Sequence, residues 1–386
     1  MRCTRVLHLA CLFALAGGSG ALAQSTTPAI FVTNGSGDSV SSFLVNPNGT
    51  LSFVAAVPSG DGPQTISLSP NGRWLAVANG TASTTVEELR IFEVNSNATL
   101  TPRLTTTVPD SPLDIQWLSD THIAVAQTGL GLVRSYNYNA GANSFTQVDI
   151  ESAGGFTSRL ALSHGGGVLY ANSTSGGQQI SVFTVSNGLM TFVESEPVSF
   201  AVDMGVTHDS RYLYGAGGIS GDGNRIYGFT TDPVNGALTP MSTPSFTSPG
   251  ESPKVIAVTA DDKILVAGHG TDATAQSFFI DGTTGFLTPT GFSFDVGGQG
   301  TLGDIQIMGD LMFITDTSTS LDGIRGVYSF RINGDGSFSQ LGPIIDTGQG
   351  LPQYIATWQG VPEPGSATLL SIGATLLLSG RRRRRG

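Results

Sequence analysis

The chain has 386 residues, of which only 12% are charged and 52 are glycines. This composition favours a turn-rich, all-β protein that is long enough to bury a large core. Residues 24–380 contain 11 basic and 29 acidic residues, a net charge of −18. Such a surface repels nucleic acid, which we therefore exclude as a partner.

The first 23 residues have the pattern of a secretory signal peptide. Arg2 and Arg5 precede an apolar stretch, and small residues at 21–23 provide a cleavage site. A lipoprotein modified at Cys11 is the alternative, although the apolar stretch continues past that residue. Because Cys3 and Cys11 are the only cysteines, we expect a mature protein with no thiol and no disulfide.

A unit of four predicted strands recurs along residues 24–360. In its clearest copy the strands lie at 63–68, 74–78 and 90–94, and a fourth begins at Leu100. Pro, Asn and Gly separate them, as hairpins require. An aromatic residue of the third strand recurs seven times, at Phe43, Phe92, Tyr136, Phe183, Phe229, Phe278 and Phe330. The mean spacing of about 48 residues, with four strands per unit, predicts a seven-bladed β-propeller.

The two ends of this region complement each other. Residues 353–358 form a first strand with no partners after it, and residues 29–35 form a second-strand pattern with no first strand before it. Joining them completes the seventh sheet and removes the open edges of the ring. The predicted fold is therefore an all-β propeller of four-stranded blades, closed by N-terminal strands that pair with the C-terminal strand. The signal peptide and a short apolar C-terminal helix lie outside it.

Two motifs, FVTNGSGDSVSSFLVNPNGTL and SPNGRWLAVANG, resemble the YVTN-type propellers that are related to bacterial 6-phosphogluconolactonases. The likeness covers nearly all of residues 24–360. It implies a lactonase-like propeller and, as an activity, hydrolysis or isomerisation of sugar lactones. Related lactonases tend to have Pro-Arg-His at the start of a first strand, where this chain has Pro63-Gln64-Thr65.

Each first strand places one side chain where the strands enter the central channel. Counting back from the following turn gives Thr65, Asp114, Arg159, Asp203, Lys254 or its neighbour Val255, Asp304 and Tyr354. The candidate catalytic residues are Asp114, Arg159, Asp203 and Asp304, since close carboxylates raise one another's pKa and suit acid–base chemistry. The same ring is also consistent with a solvated lining, a site for a polar ligand or glycan, or a cation. No D-x-D-x-D-G loop is present for calcium, and we expect no metal and no cofactor.

The four histidines outside the signal peptide lie in different blades. His164 and His208 fall in turns on the face opposite the ring, His122 begins a second strand, and His269 lies in a loop. Their spacing is not that of metal ligands. We expect each of them to be structural or solvent-facing.

The last 26 residues read VPEPGSATLLSIGATLLLSGRRRRRG. Pro362 and Pro364, with Glu363 between them, start the segment outside regular structure, and an apolar run at 366–380 is short for a membrane span. The run is followed by Arg381, Arg382, Arg383, Arg384 and Arg385, which we expect to stay on the cytoplasmic side.

These three parts of 361–386 together resemble the PEP-CTERM sorting signal of exported bacterial proteins, and an ordinary tail anchor is the alternative. The resemblance implies transient anchoring in the inner membrane through 366–380 and removal of the tail by a membrane transpeptidase, an exosortase.

The sequence therefore predicts an exported protein of the cell envelope or extracellular space. Its propeller is expected to act as a binding or scaffold module for a glycan or a protein. The alternative is a secreted lactonase-like hydrolase or isomerase that acts on sugar lactones. The predicted partners are the export machinery, the processing transpeptidase and an extracellular glycan or protein.

Overall fold

Apolar residues at alternate positions, separated by Asn-, Asp- and Gly-containing turns, divide the chain into short antiparallel strands. The computed structural model describes residues 27–80, 87–199, 201–218, 224–296, 302–317 and 325–360. Across these ranges the regular structure consists of 28 strands in seven sheets. No helix within them has the length and apolar character needed to cross a membrane. The predicted signal peptide, C-terminal helix and sorting signal lie outside the described residues.

In chain order, the first fourteen strands are β1 (Ala29–Asn34), β2 (Ser39–Val45), β3 (Leu51–Pro58), β4 (Pro63–Leu68), β5 (Trp74–Asn79), β6 (Glu88–Val94), β7 (Leu100–Thr107), β8 (Pro112–Trp117), β9 (His122–Gln127), β10 (Leu132–Asn139), β11 (Ser144–Ser152), β12 (Thr157–Leu162), β13 (Val168–Ser173) and β14 (Gln179–Ser186). The remaining strands are β15 (Leu189–Pro197), β16 (Ala201–Val206), β17 (Tyr212–Gly217), β18 (Arg225–Thr231), β19 (Leu238–Thr247), β20 (Pro253–Val258), β21 (Ile264–His269), β22 (Thr274–Ile280), β23 (Leu287–Asp295), β24 (Leu302–Met308), β25 (Leu311–Asp316), β26 (Gly326–Ile332), β27 (Phe338–Gln340) and β28 (Pro352–Trp358).

The sheets are the blades of a closed ring, which confirms the predicted seven-bladed propeller. Six blades consist of four consecutive strands, and the seventh has the order β28-β1-β2-β3. Ala29 pairs with Trp358 and Phe31 with Ala356, so the C-terminal strand closes the ring as expected. The innermost strands β28, β4, β8, β12, β16, β20 and β24 each contact the innermost strands of both neighbouring blades.

The hydrophobic core lies between the blades. Seven clusters of buried side chains fill the seven blade interfaces, and Trp74, Ile91, Ile123 and Tyr136, for example, pack together between the blades of β4 and β8. The seven recurring third-strand aromatics are all buried, with at most 6% of their surface exposed. Each blade is therefore sandwiched between two others, and its second strand is apolar on both faces, as in β5 and β21.

A β-bulge interrupts each first strand near its start. The pairing register shifts between Pro63 and Thr65, between Pro112 and Asp114, and between Ala201 and Asp203. Bulges of this kind bend a strand and change the direction of a side chain. They occur immediately before the residues that face the axis, so they help to determine which side chains reach the channel.

Because the ring closes through β28, we predict that two C-terminal truncations have very different effects on the thermal stability of the propeller. Removal of residues 361–386 is expected to change the melting temperature of the propeller by less than about 2 °C, since Trp358 is the last residue of the closing strand. Removal from residue 351 onward also deletes β28 and exposes the buried partner strand β1, so we expect loss of the cooperative transition. Circular dichroism melting curves compare the two proteins, and equal melting temperatures would contradict the closure.

Candidate functional site

A cavity of about 320 Å³ lies on the axis of the propeller, between the innermost strands. All seven residues that the sequence places at the channel line it: Thr65, Asp114, Arg159, Asp203, Lys254, Asp304 and Tyr354. We refer to these seven residues as the polar ring. The lining continues from the polar ring toward the turns that follow the first strands, as far as His164 and His208.

Arg159 reaches across the channel. Its Nη2 atom donates a hydrogen bond to the hydroxyl of Tyr354 at 2.5 Å, and its guanidinium carbon lies 4.9 Å from the centre of the Tyr354 ring. The Nη1 atom donates to the carbonyl oxygens of Leu113 and Ser158. Since β12 and β28 are three blades apart in a ring of seven, this contact joins opposite walls of the channel.

The three aspartates of the polar ring each accept a hydrogen bond from the innermost strand of the next blade. Asp114 accepts a hydrogen bond from the backbone N–H of Leu160 at 2.7 Å, and Asp203 accepts one from Ile256 at 2.8 Å. Asp304 accepts the corresponding bond from Ile355 at 2.9 Å. The carboxylates therefore contribute to the packing of the ring as well as to the lining of the cavity.

The donors around the aspartates differ in kind. Asp114 accepts further hydrogen bonds from the hydroxyl of Thr65 and the backbone N–H of Ile115. Asp304 accepts further bonds from the backbone of Ile305 and from the side-chain amide of Gln306. Asp203 accepts bonds from the backbone of Ile256 and of Met204, and both lower its pKa.

These surroundings change the acidity of the carboxyls. Burial raises the pKa of Asp203 to about 7, against the opposing effects of Arg159 and the two backbone donors. Burial also raises the pKa values of Asp114 and Asp304, and hydrogen bonds and Arg159 oppose this rise. Since a general base works best when its pKa lies near the working pH, a pKa of about 7 suits Asp203 to exchange a proton near neutral pH.

Two cations complete the electrostatics of the polar ring. Burial disfavours the charge of Arg159, but Tyr354, Asp114 and Asp203 outweigh it and hold the guanidinium pKa above its usual value. The Nζ atom of Lys254 donates to the carbonyl of Leu302 at 3.1 Å, and burial followed by repulsion from Arg159 lowers its pKa.

In the blade of β20, two residues replace the single polar-ring residue of the other blades: Val255 has its register position, and Lys254 has its polar side chain in the cavity. In the strand register Val255 corresponds to Asp203, but its side chain is only 6% exposed and belongs to the hydrophobic cluster between β20 and β24. Lys254 precedes it within the bulge and supplies the polar group that lines the cavity. The sequence left this choice open, because counting along a strand does not locate a bulge.

His164 and His208 lie near each other at the far end of the same cavity. Their imidazole rings stack with centroids 3.8 Å apart and planes inclined by 21°. The sequence places them in the turns that end β12 and β16, but it does not reveal that neighbouring blades bring them together. His122 and His269 lie elsewhere and have structural hydrogen bonds, to Ser119 and Ser248 respectively.

The site offers acid–base and electrostatic groups. No cluster of three or more His, Cys, Asp or Glu side chains in the described part of the chain has the arrangement needed to hold a metal ion. A carboxyl with a pKa near 7, beside a guanidinium and an ammonium group, can accept a proton from water while the cations stabilise a developing oxyanion.

Comparison with protein families identifies the class of this propeller. A model described as lactonase, seven-bladed β-propeller, matches residues 14–117 and 199–302. The two segments make up more than half of the sequence, so the chain belongs to the lactonase family of seven-bladed β-propellers. No curated protein matches the sequence significantly.

Solved structures of similar proteins share the fold over almost their whole length. A protein from Bacteroides fragilis described as a putative 6-phosphogluconolactonase has a TM-score of 0.72 at 15% identity, with 87% of this chain and 99% of that chain covered. The periplasmic gluconolactonase of Pseudomonas aeruginosa has a TM-score of 0.70 at 17% identity, with 87% and 100% covered. At these identities the likeness establishes the fold alone.

The raised pKa of Asp203 gives a prediction about stability. Its carboxyl binds a proton more tightly in the folded protein, where the pKa is about 7, than in the unfolded chain, where 3.8 is usual. The folded state is therefore stabilised at low pH, and this contribution is lost as the pH rises from about 4 through 7. In Asp203→Asn the loss is absent, so between pH 5 and 8 the unfolding free energy of the variant should rise relative to wild type by about 2–3 kcal/mol.

Urea denaturation of both proteins across this pH range measures the difference, and any constant cost of the substitution cancels. Asp281→Asn is the matched control, since hydrogen bonds from Thr284 lower the pKa of this exposed carboxyl and it is ionised throughout the range. An Asp203→Asn difference that stays flat with pH would contradict the raised pKa.

Proposed function

We propose that this protein hydrolyses a neutral sugar lactone in its central channel. The observation that carries the proposal is the convergence of Arg159 with Asp114, Asp203 and Asp304 on one cavity, in a chain of the lactonase propeller family. A ring of unrelated solvated residues has no reason to combine a carboxyl of pKa about 7 with a guanidinium held across the axis.

In the proposed reaction Asp203 acts as the general base. Its carboxylate takes a proton from a water molecule, and the water oxygen forms a bond to the lactone carbonyl carbon. The C–O bond of the ring then breaks, and the carboxyl of Asp203 returns the proton to the leaving alkoxide oxygen, so that lactone and water give a hydroxy acid. Arg159 and Lys254 stabilise the negative charge of the tetrahedral intermediate and of the carboxylate product.

The charges of the polar ring favour a lactone without a phosphate group. Two basic side chains face three carboxyls in the cavity, so the polar ring has no excess of cations to neutralise a phosphate group. A phosphate ester adds further negative charge and would be repelled. The substrate class is therefore a neutral lactone of a sugar acid.

Binding of a glycan or protein without turnover is the second candidate. It is favoured by the hydrogen bonds through which all three aspartates already hold neighbouring backbone groups. The two candidates differ in what they require of Asp203, because a binding module needs no proton transfer at this carboxyl.

We predict that the propeller accelerates hydrolysis of gluconolactone and that Asp203→Asn lowers kcat by about 10²–10⁴-fold, the usual contribution of a general base. After subtraction of the spontaneous reaction, kcat/KM of the wild type should rise with pH with a midpoint near 7, the pKa of Asp203. A pH-stat assay measures both quantities.

Asp281→Asn, in an exposed turn, serves as the control and should retain wild-type kinetics. The 6-phosphate ester of the lactone should be hydrolysed at least about tenfold less efficiently, as expected for an unpaired charge in the site. Full activity of Asp203→Asn would remove the proposed base, and efficient turnover of the phosphate ester would overturn the assignment of a neutral substrate.

We further propose that the protein is exported and sorted to the cell envelope by its two terminal segments. The basic and apolar N-terminus supports export, and the Pro-Glu-Pro, apolar and arginine parts of 361–386 support anchoring followed by removal of the tail.

Replacement of Arg381 to Arg385 by serines should leave the melting temperature of the propeller unchanged but reduce its recovery in the envelope fraction, because the retained cationic end is lost. A melting curve of the purified protein checks the first effect. Fractionation of a host with the processing enzyme, with mass determination of the C-terminus, checks the second. A variant with five lysines keeps the charge and is the matched control. Normal delivery of the serine variant would argue against the sorting role.

A further inference from the structure

The end of the cavity away from the polar ring is lined by two histidines, His164 and His208. The stacked imidazoles of His164 and His208 combine apolar ring faces with polar nitrogen atoms. The buried Nδ1 atom of His208 makes no hydrogen bond, although an Asp262 oxygen lies 3.3 Å away. Both oxygens of Asp262 accept backbone N–H groups instead, from His208 at 2.6 Å and from Asp209 at 2.9 Å.

His164 is suited to a neutral partner. Burial, followed by repulsion from His208, lowers its pKa, so the imidazole is uncharged at neutral pH. An uncharged imidazole both donates and accepts hydrogen bonds. One ring N–H of His164 already donates to the backbone of Val206, which leaves the other nitrogen as an acceptor. The pair therefore offers an acceptor for a hydroxyl together with a flat surface that matches the C–H face of a sugar ring.

The cavity between the two ends is longer than one sugar ring. β12 and β16 continue for three residues beyond Arg159 and Asp203, about 10 Å of strand, and His164 and His208 lie in the turns that follow. Two positions after Arg159 and after Val255, on the same face of each strand, the wall has the small side chains of Ala161 and Ala257. The volume of about 320 Å³ is within the range of sites that enclose ligands much larger than a single small ring, about 300–1,000 Å³.

We propose that His164 and His208 form a distal subsite for the second sugar ring of a disaccharide lactone, whose lactone ring lies against Asp203 and Arg159. This inference rests on the proposed lactone hydrolysis and names its substrate class. The small residues Ala161 and Ala257 leave the passage between the two rings open, and Gln116 and Gln306 in the same wall provide amides for the hydroxyl groups along it.

The experiment compares gluconolactone with the same lactone bearing a second hexose on O4. The wild type should hydrolyse the disaccharide lactone with a kcat/KM at least about tenfold higher, the gain expected when a complementary site is filled. In the double variant His164→Ala/His208→Ala the ratio of the two kcat/KM values should fall to near one. Ala257→Leu, which narrows the passage, should lower the ratio in the same way.

His122→Ala is the matched control, since this histidine contacts Ser119 and Asn137 outside the cavity, and it should keep the wild-type ratio. A wild-type ratio near one, or an unchanged ratio in the double variant, overturns the distal subsite while leaving lactone hydrolysis intact.

Calorimetric titration with the two corresponding acids tests the subsite without turnover. Tighter binding of the disaccharide acid by the wild type, lost in the double variant, supports the subsite even if no lactone is hydrolysed, and in that case only the proposed reaction fails. Equal binding of both acids by wild type and double variant overturns the subsite.

Discussion

The pairing of β28 with β1 is the contact on which the rest of the propeller depends. Six blades form from consecutive strands by local hairpins, but the seventh exists only when residues more than 300 positions apart pair, as Ala29 and Trp358 do. Closure brings all seven innermost strands around one axis and gives the seventh blade its innermost strand. The cavity is a product of this closure, since no single blade supplies more than a small part of its wall. The chain thus acquires its candidate site only when the whole fold is complete.

The aspartates of the polar ring both join neighbouring blades and line the cavity. Each one spans from its own strand to a backbone N–H of the next, so the same carboxylates that line the cavity also set the spacing between blades. Burial is the largest influence on the acidity of all three carboxyls, and the hydrogen bonds from neighbouring strands oppose it. Asp114, with three donors, shows the structural role most fully. The hydrogen bonds between blades therefore affect the acidity of these carboxyls as well as their position.

Sequence periodicity predicts this fold well because every blade repeats the same apolar alternation and turn chemistry. The third-strand aromatics give the blade count, and register counting along first strands gives the residues of the polar ring. Three features of the site cannot be predicted from the sequence pattern. The choice between Lys254 and Val255 depends on a bulge. The contact of Arg159 with Tyr354 depends on the diameter of the closed ring, and the stacking of His164 on His208 depends on the distance between turns of adjacent blades. All three depend on three-dimensional geometry, which the apolar alternation of the sequence does not encode.

The pairing of β28 with β1 also makes the two faces of the propeller different. β1 begins where β28 ends, with Ala29 opposite Trp358, so the chain enters and leaves the propeller side by side. First strands run from the polar ring toward the turns that carry His164 and His208, and Trp358 ends such a strand. Anything linked to either end of the propeller is thus joined to it on the histidine side. The two mouths of the channel therefore differ in what lies beside them: both ends of the propeller chain lie on the histidine side, and neither lies on the side of the polar ring.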